Sequence, residues 1–175
     1  MIYILKNRIL KGIVTKHVDR DLHGQIKAAG ADLRRLIQKN FGRSLNLRQV
    51  DTGSCGACQS EIIAATNPLY DLQRFGINFV ASPRHADALL VTGPLSKNMF
   101  TALQKTYAAT PEPKFVITCG DCAQDGGVFK DSYYIQGQIK DVLPVALHIQ
   151  GCPPSPLEII RTLLVFLQKE EQKSV

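Results

Sequence analysis

The chain has 175 residues, 45% of them hydrophobic, with a formal net charge of +6. That is the size and composition of one globular domain with a real core, not of a disordered or fibrous chain, and no apolar run approaches the ~18 residues needed to span a bilayer. The charge is uneven: residues 1–50 hold 11 Lys+Arg against 3 Asp+Glu, the remainder 10 against 12.

Residues 1–22 read as a basic and apolar extension ahead of a single domain over residues 23–175. Ile4, Leu5, Ile9 and Leu10 interleave with Lys6, Arg8 and Lys11. This pattern lacks the unbroken core of a secretory signal and the single stripe of a free amphipathic helix. It points to the cytoplasmic side of a membrane, and to docking on anionic lipid or an acidic partner. No helix-turn-helix, zinc-finger or RNA-binding signature accompanies the charge, so nucleic acid is not an expected partner.

From Gly24 to Phe41, apolar Ile26, Ala29, Leu33, Leu36 and Ile37 recur at helical spacing, and Gly42 supplies a stop. Residues 45–50 then alternate like a strand. Further strand-like runs cover residues 77–81, 88–91, 115–118 and 145–149. A helix is expected over 96–107, capped by Ser96, with Met99, Phe100, Leu103 and Tyr107 on one face. Another begins at Ser155-Pro156-Leu157-Glu158, a capping box with proline at the first helical position. Short apolar strands alternating with helices predict an α/β fold, a flavodoxin-like parallel sheet with flanking helices whose site lies at the carboxyl edge of the strands.

All five cysteines fall at that edge. Cys55 and Cys58 follow the first strand in D-T-G-S-C-G-A-C-Q-S-E-I, Cys119 and Cys122 follow the strand ending at Thr118, and Cys152 follows the last. An odd number of thiols in a non-secreted chain favours metal or redox chemistry over a disulfide scaffold. A redox pair at Cys55 and Cys58 leaves three thiols idle. The 60 residues between Cys58 and Cys119 far exceed the roughly 15–20 of a zinc ribbon. An iron–sulfur cluster draws four thiolates from separated loops, and Gly53, Gly56, Gly120 and Gly151 would let backbone approach its sulfides.

The segments G-S-C-G-A-C-Q-S-E-I, S-P-R-H-A-D-A-L-L-V-T-G-P, V-I-T-C-G-D-C-A-Q-D-G-G-V-F and G-C-P-P-S-P resemble, in order and spacing, one family. It is the small-subunit superfamily shared by nickel–iron hydrogenases and the cluster-bearing quinone-module subunit of respiratory complex I. The resemblance runs from about Gly42 to the C-terminus. It implies one 4Fe–4S cluster on Cys55, Cys58, Cys122 and Cys152, with Cys119 a buried small residue beside it; Cys119 as an alternative ligand is the second reading. The Cys55-x-x-Cys58 spacing and the S-P-R-H-A-D block look most like membrane-bound, energy-converting hydrogenases; Ala57 and Gln59 depart from their usual pattern. The implied function is an electron-transfer subunit of an oxidoreductase. Its implied partners are a catalytic large subunit, a ferredoxin-like cluster subunit and membrane subunits. The alternative is the same role in a quinone-reducing or nickel-free relative.

Other polar residues carry smaller expectations. Glu61 either relays protons or caps the helix after Cys58. Arg84 and His85 would form a positive wall at a subunit interface, stabilising added electrons. Asp87, Asp121 and Asp125 would order backbone, and His148 would be structural.

Overall fold

The computed structural model describes residues 20–173, together with Lys6, Leu10 and Lys11. The docking role expected of the N-terminal extension therefore lies largely outside the described residues.

Helix α1 (Arg20–Phe41) precedes β1 (Leu45–Asp51), and α2 (Ala57–Ala65) follows the first cysteine loop. Strands β2 (Ile77–Phe79) and β3 (Ala88–Thr92) come next, then the short β4 (Leu95–Ser96) and helix α3 (Lys97–Ala109). Strand β5 (Phe115–Cys119) leads into the five-residue α4 (Asp121–Asp125); β6 (Ile135–Gly137), β7 (Val145–Ile149) and α5 (Pro156–Lys173) complete the described chain.

Five strands form one sheet in the order β2-β1-β3-β5-β7, every neighbouring pair parallel. This is the flavodoxin-like arrangement expected from the sequence, with its direction of winding reversing beside β1. All five residues of the central β3 are buried, as the interior strand of a sheet covered on both faces requires. Alternation sends Ala88 and Leu90 to one face and Leu89 and Val91 to the other. The first face packs on α1, α2 and α5 through Leu33, Ile37, Ile62, Ile160 and Leu163. The second packs on α3 and α4 through Leu103 and Ala123, and on the turn before β7 through Ile139 and Leu143.

Helices α1 and α5 run side by side in the same direction. Arg161 donates to Gln25 near their starts, and Lys39 pairs with Glu171 near their ends. Because α1 descends to begin β1, its first residue, Arg20, stands at the carboxyl edge of the sheet, beside the start of α5.

Two expectations need correction. Ser96 does not cap α3 through its side chain; it is extended and pairs with β6 in a small antiparallel sheet. A serine ahead of an apolar helix suits a cap or a strand end equally well. The run 77–81 forms only a three-residue strand, so the chain turns back early towards β3.

Candidate metal centre at the carboxyl edge

The first thiol loop is fixed from beneath. Asp51 closes β1, and its carboxylate accepts from the N–H groups of Gly53 and Ser54 at 2.8 and 2.7 Å. Burial pushes the Asp51 carboxyl up, but the hydrogen bonds it receives from Ser54, Gly53 and Gln59 together outweigh it and the group sits below its usual range. Thr52, fully buried, reaches the Thr92 and Gly93 carbonyls at the end of β3, both at 2.9 Å. Cys55 then stands exposed, while Cys58, in the first turn of α2, is only 9% exposed.

The second and third loops are tied to each other. The Gly120 N–H bonds to the Ile149 carbonyl at 2.8 Å and the Asp121 N–H to the Gly151 carbonyl at 3.0 Å. In return, the Gly151 N–H donates to the Asp121 carboxylate at 2.8 Å. This pair of bonds sets Cys122, in α4, relative to the exposed Cys152. Asp125 accepts from the Gly127 N–H at 2.8 Å where α4 ends. Asp121 and Asp125 thus order their loops as expected.

Two glycines are required by the thiols. A Cβ on Gly120, whose φ is +89°, would stand 2.4 Å from Cys58 Sγ; one on Gly127 would stand 2.7 Å from Cys122 Sγ. All five cysteines are free thiols. Burial raises the Cys122 thiol above its ordinary value, and the charges of Cys152, Cys55 and Cys58 raise it further. Those four sulfurs therefore share one electrostatic neighbourhood. Cys119 differs: it is fully buried at the end of β5, on the face packed by α1, α2 and α5, in the same apolar cluster as Cys58. The Cys119 side chain lowers the Cys58 thiol, while the Cys58 side chain and burial drive the Cys119 thiol up. Among the described residues, no three His, Cys, Asp or Glu side chains stand close enough to hold a single metal ion.

Other expected roles divide. Asp87 accepts from the Asn46 N–H at 2.8 Å and takes a two-pronged bond from Arg43 at 2.9 and 2.6 Å. Its backbone role stands, and the arginine is an addition that no local pattern announces. Glu61 lies in the body of α2 and does not cap it; Gly56 occupies the cap. Arg84 and His85 form an exposed turn leading into the start of β3. That is the amino edge, because β2 stops after three residues, so they build no positive wall beside the thiols. His148 is half-buried, its Nδ1 2.9 Å from the Thr118 hydroxyl, and burial lowers its pKa. The sequence pattern does not announce the exposed apolar residues that follow the Cys122 loop: Val128 and Tyr133 are 82% and 85% exposed. A valine and a tyrosine just after a glycine-rich loop, with no apolar period, are the only linear signal of them.

The family profile described as NADH ubiquinone oxidoreductase, 20 kDa subunit, matches residues 55–166. A Pyrococcus furiosus protein carrying the name probable membrane-bound hydrogenase subunit mbhJ is 43% identical over 131 residues, 75% of this chain and 78% of its own. An NADH-quinone oxidoreductase subunit of Clostridium beijerinckii is 42% identical over 119 residues, 67% of this chain and 70% of its own. A chain in the solved structure of the membrane-bound sulfane sulfur reductase, an archaeal respiratory membrane complex, superposes with a TM-score of 0.66 at 30% identity, covering 81% of this chain and 76% of that one.

Proposed function

The chain belongs to the family of the 20 kDa subunit of NADH ubiquinone oxidoreductase, and from that premise we propose that it is the electron-transfer subunit of a membrane-bound nickel–iron hydrogenase complex. Its relatives are subunits of oxidoreductase complexes, hydrogenase and NADH-quinone oxidoreductase among them. In this reading Cys55, Cys58, Cys122 and Cys152 hold one 4Fe–4S cluster. The observation that carries it is the arrival of four free thiols from three loops at one sheet edge, two of those loops tied to each other through Asp121 and Gly151. The donor set fits. Thiolates are the soft ligands such a cluster takes, one to each iron, and thiols standing apart suit four irons better than one ion. When bound, the cluster supplies storage for a single electron at that edge. The protein's own part is to fix the thiol loops through Asp51 and Asp121, and to clear space with Gly120 and Gly127.

The partners in this reading are a catalytic large subunit against the thiol edge, a ferredoxin-like cluster subunit and membrane subunits, all reached from the cytoplasmic side. The exposed Val128, whose backbone lies beside Cys122, supports a protein partner there, since exposed apolar side chains at a functional edge mark interaction surfaces. Among the described residues no helix is long and apolar enough to cross a membrane.

Iron and acid-labile sulfide in the anaerobically purified complex should each rise by about four per copy of this chain. Replacing Cys55, Cys58, Cys122 or Cys152 with serine should abolish or cripple the cluster. Stoichiometric zinc without labile sulfide would overturn the reading. A quinone-reducing or nickel-free relative is the second reading, favoured by the similarity to the Clostridium NADH-quinone oxidoreductase protein and to the sulfane sulfur reductase chain. The co-purifying large subunit separates them: two C-x-x-C pairs, with hydrogen-dependent dye reduction by the complex, mean a hydrogenase.

A further inference from the structure

We propose that the cleft beside β1 takes an acidic, extended segment of a partner subunit, its carboxylate on Arg48 and its main chain against Gln49. This docking site rests on the reading above only in taking the chain to work inside a complex. It begins where β2 stops short. Parallel pairing alternates along β1: the Asn46 carbonyl accepts from the Asp87 N–H on the β3 side, while Leu45 and Leu47 bond towards β2. That ladder ends at Leu47 and Phe79, with the Val80 N–H on the Leu47 carbonyl at 2.9 Å. Gln49, next in the outward series, has no strand opposite it. A cavity of about 410 Å³ occupies the place, lined by Arg48, Gln49, Phe79 and Val80 together with Ile62 and Ile63 of α2.

Charge and polarity identify the occupant. Arg48 Nε is buried without a hydrogen-bond partner, and among the described residues no carboxylate pairs with the guanidinium. A desolvated guanidinium N–H without an acceptor is costly, and a carboxylate is the acceptor that matches it in shape and charge. Residues 1–19 carry four Lys or Arg against one Asp, the wrong sign for Arg48, so the chain's own extension does not serve. The outward main chain of Gln49 presents both an N–H and a carbonyl, which an added strand satisfies together and a small carboxylate does not. Ile63, 67% exposed beside them, offers that strand an apolar contact. Because α2 also carries Cys58, a segment seated here holds the helix of a thiol loop.

The test uses the purified complex, in native form and with Arg48→Lys, Arg48→Gln or Arg48→Glu. Retention of this chain is followed by size exclusion across a salt series. Arg48→Gln should weaken its hold about tenfold and Arg48→Glu about a hundredfold, while Arg48→Lys, which keeps the charge, should lose less than Arg48→Gln. Carbodiimide then joins the amine introduced by Arg48→Lys to the carboxylate it touches, and mass spectrometry reads the linked peptide. The expected product ties residue 48 to an Asp or Glu of a partner subunit. That link decides the matter even where charge reversal disturbs folding. Peptides covering residues 48–50 should also exchange amide hydrogen more slowly in the native complex than in the Arg48→Glu form. Equal retention of all four forms would overturn the proposal. So would a carbodiimide product within this chain, a small carboxylate adduct in place of a partner peptide, or no product. A native complex lacking the four irons and sulfides would remove the cluster reading and leave this inference standing. A chain that purifies as a lone monomer would remove the partners, and this inference with them.

Discussion

Two carboxylates do for the thiol loops what the thiols cannot do for themselves. Asp51 holds the Gly53 and Ser54 N–H groups, and Asp121 ties the Cys122 loop to the Cys152 loop. Removing Asp121 as Asp121→Ala should cost about 1 kcal/mol, since its oxygen is exposed and one bond is lost; the thermal midpoint should fall and the cluster should be lost faster to chelators. Asp51 adds a pH dependence. Its folded pKa is depressed by the Ser54 and Gly53 bonds working against burial, so its stabilisation is complete above the unfolded value of ~3.9 and is lost as pH falls through the folded one. Denaturant midpoints in that acid range should fall less steeply for Asp51→Asn than for the native protein. At Gly120 the clash is with sulfur. Gly120→Ala should displace Cys58 and lose the cluster even though alanine is the smallest possible addition, and iron content reports it.

Helix α1 gives a sharper case of context overriding propensity. A glycine in a helix interior is usually improved by alanine, by about 0.8–1 kcal/mol. A Cβ on Gly30, however, would stand 2.2 Å from the Phe75 ring, while one on Gly24 meets only Asp21 at 3.8 Å. Gly30→Ala should therefore destabilise by about 1–3 kcal/mol through overpacking, whereas Gly24→Ala should stabilise; paired denaturant midpoints decide it. The same contrast explains what is legible in the chain. Helix α1 and strand β1 are readable because burial on one face imposes a period, and β3 and β5 because burial on both faces makes continuous apolar runs. Strands β4 and β6, at two and three residues, are too short to carry one, and Ser96 reads as a cap for that reason. The thiol loops are readable because their glycines and cysteines are local in sequence. The nearness of Cys58 and Cys119 and the Arg43–Asp87 pair are not, since each joins residues that only the folded sheet brings together. Arg84 and His85 read as neighbours of the thiols because a strand's true length depends on how many partner residues are left for it to pair with.

At the scale of the whole molecule, the thiols and exposed Val128 and Tyr133 share one edge, while basic charge gathers in residues 1–50. Near an anionic leaflet each basic residue adds about 1 kcal/mol of attraction. Deleting residues 1–19, which leaves α1 whole, should preserve the cluster yet release the protein or its peripheral arm from membranes, and high salt should partly mimic the cut. Attachment that survives both would assign the segment to the flank of the large subunit instead. Sedimentation with membrane vesicles across a salt series distinguishes the two.

The shared direction of α1 and α5 has a mechanical consequence. Arg20 stands at the same end as Cys152, so any grip exerted through the preceding residues is applied at the thiol edge and not at the opposite pole. A protein held there would behave as a body hinged at its thiol edge. Rocking about that hinge would swing the amino edge through the widest arc while the thiols stay almost stationary, and in the proposed electron-transfer role the tunnelling distance depends on the thiol edge alone.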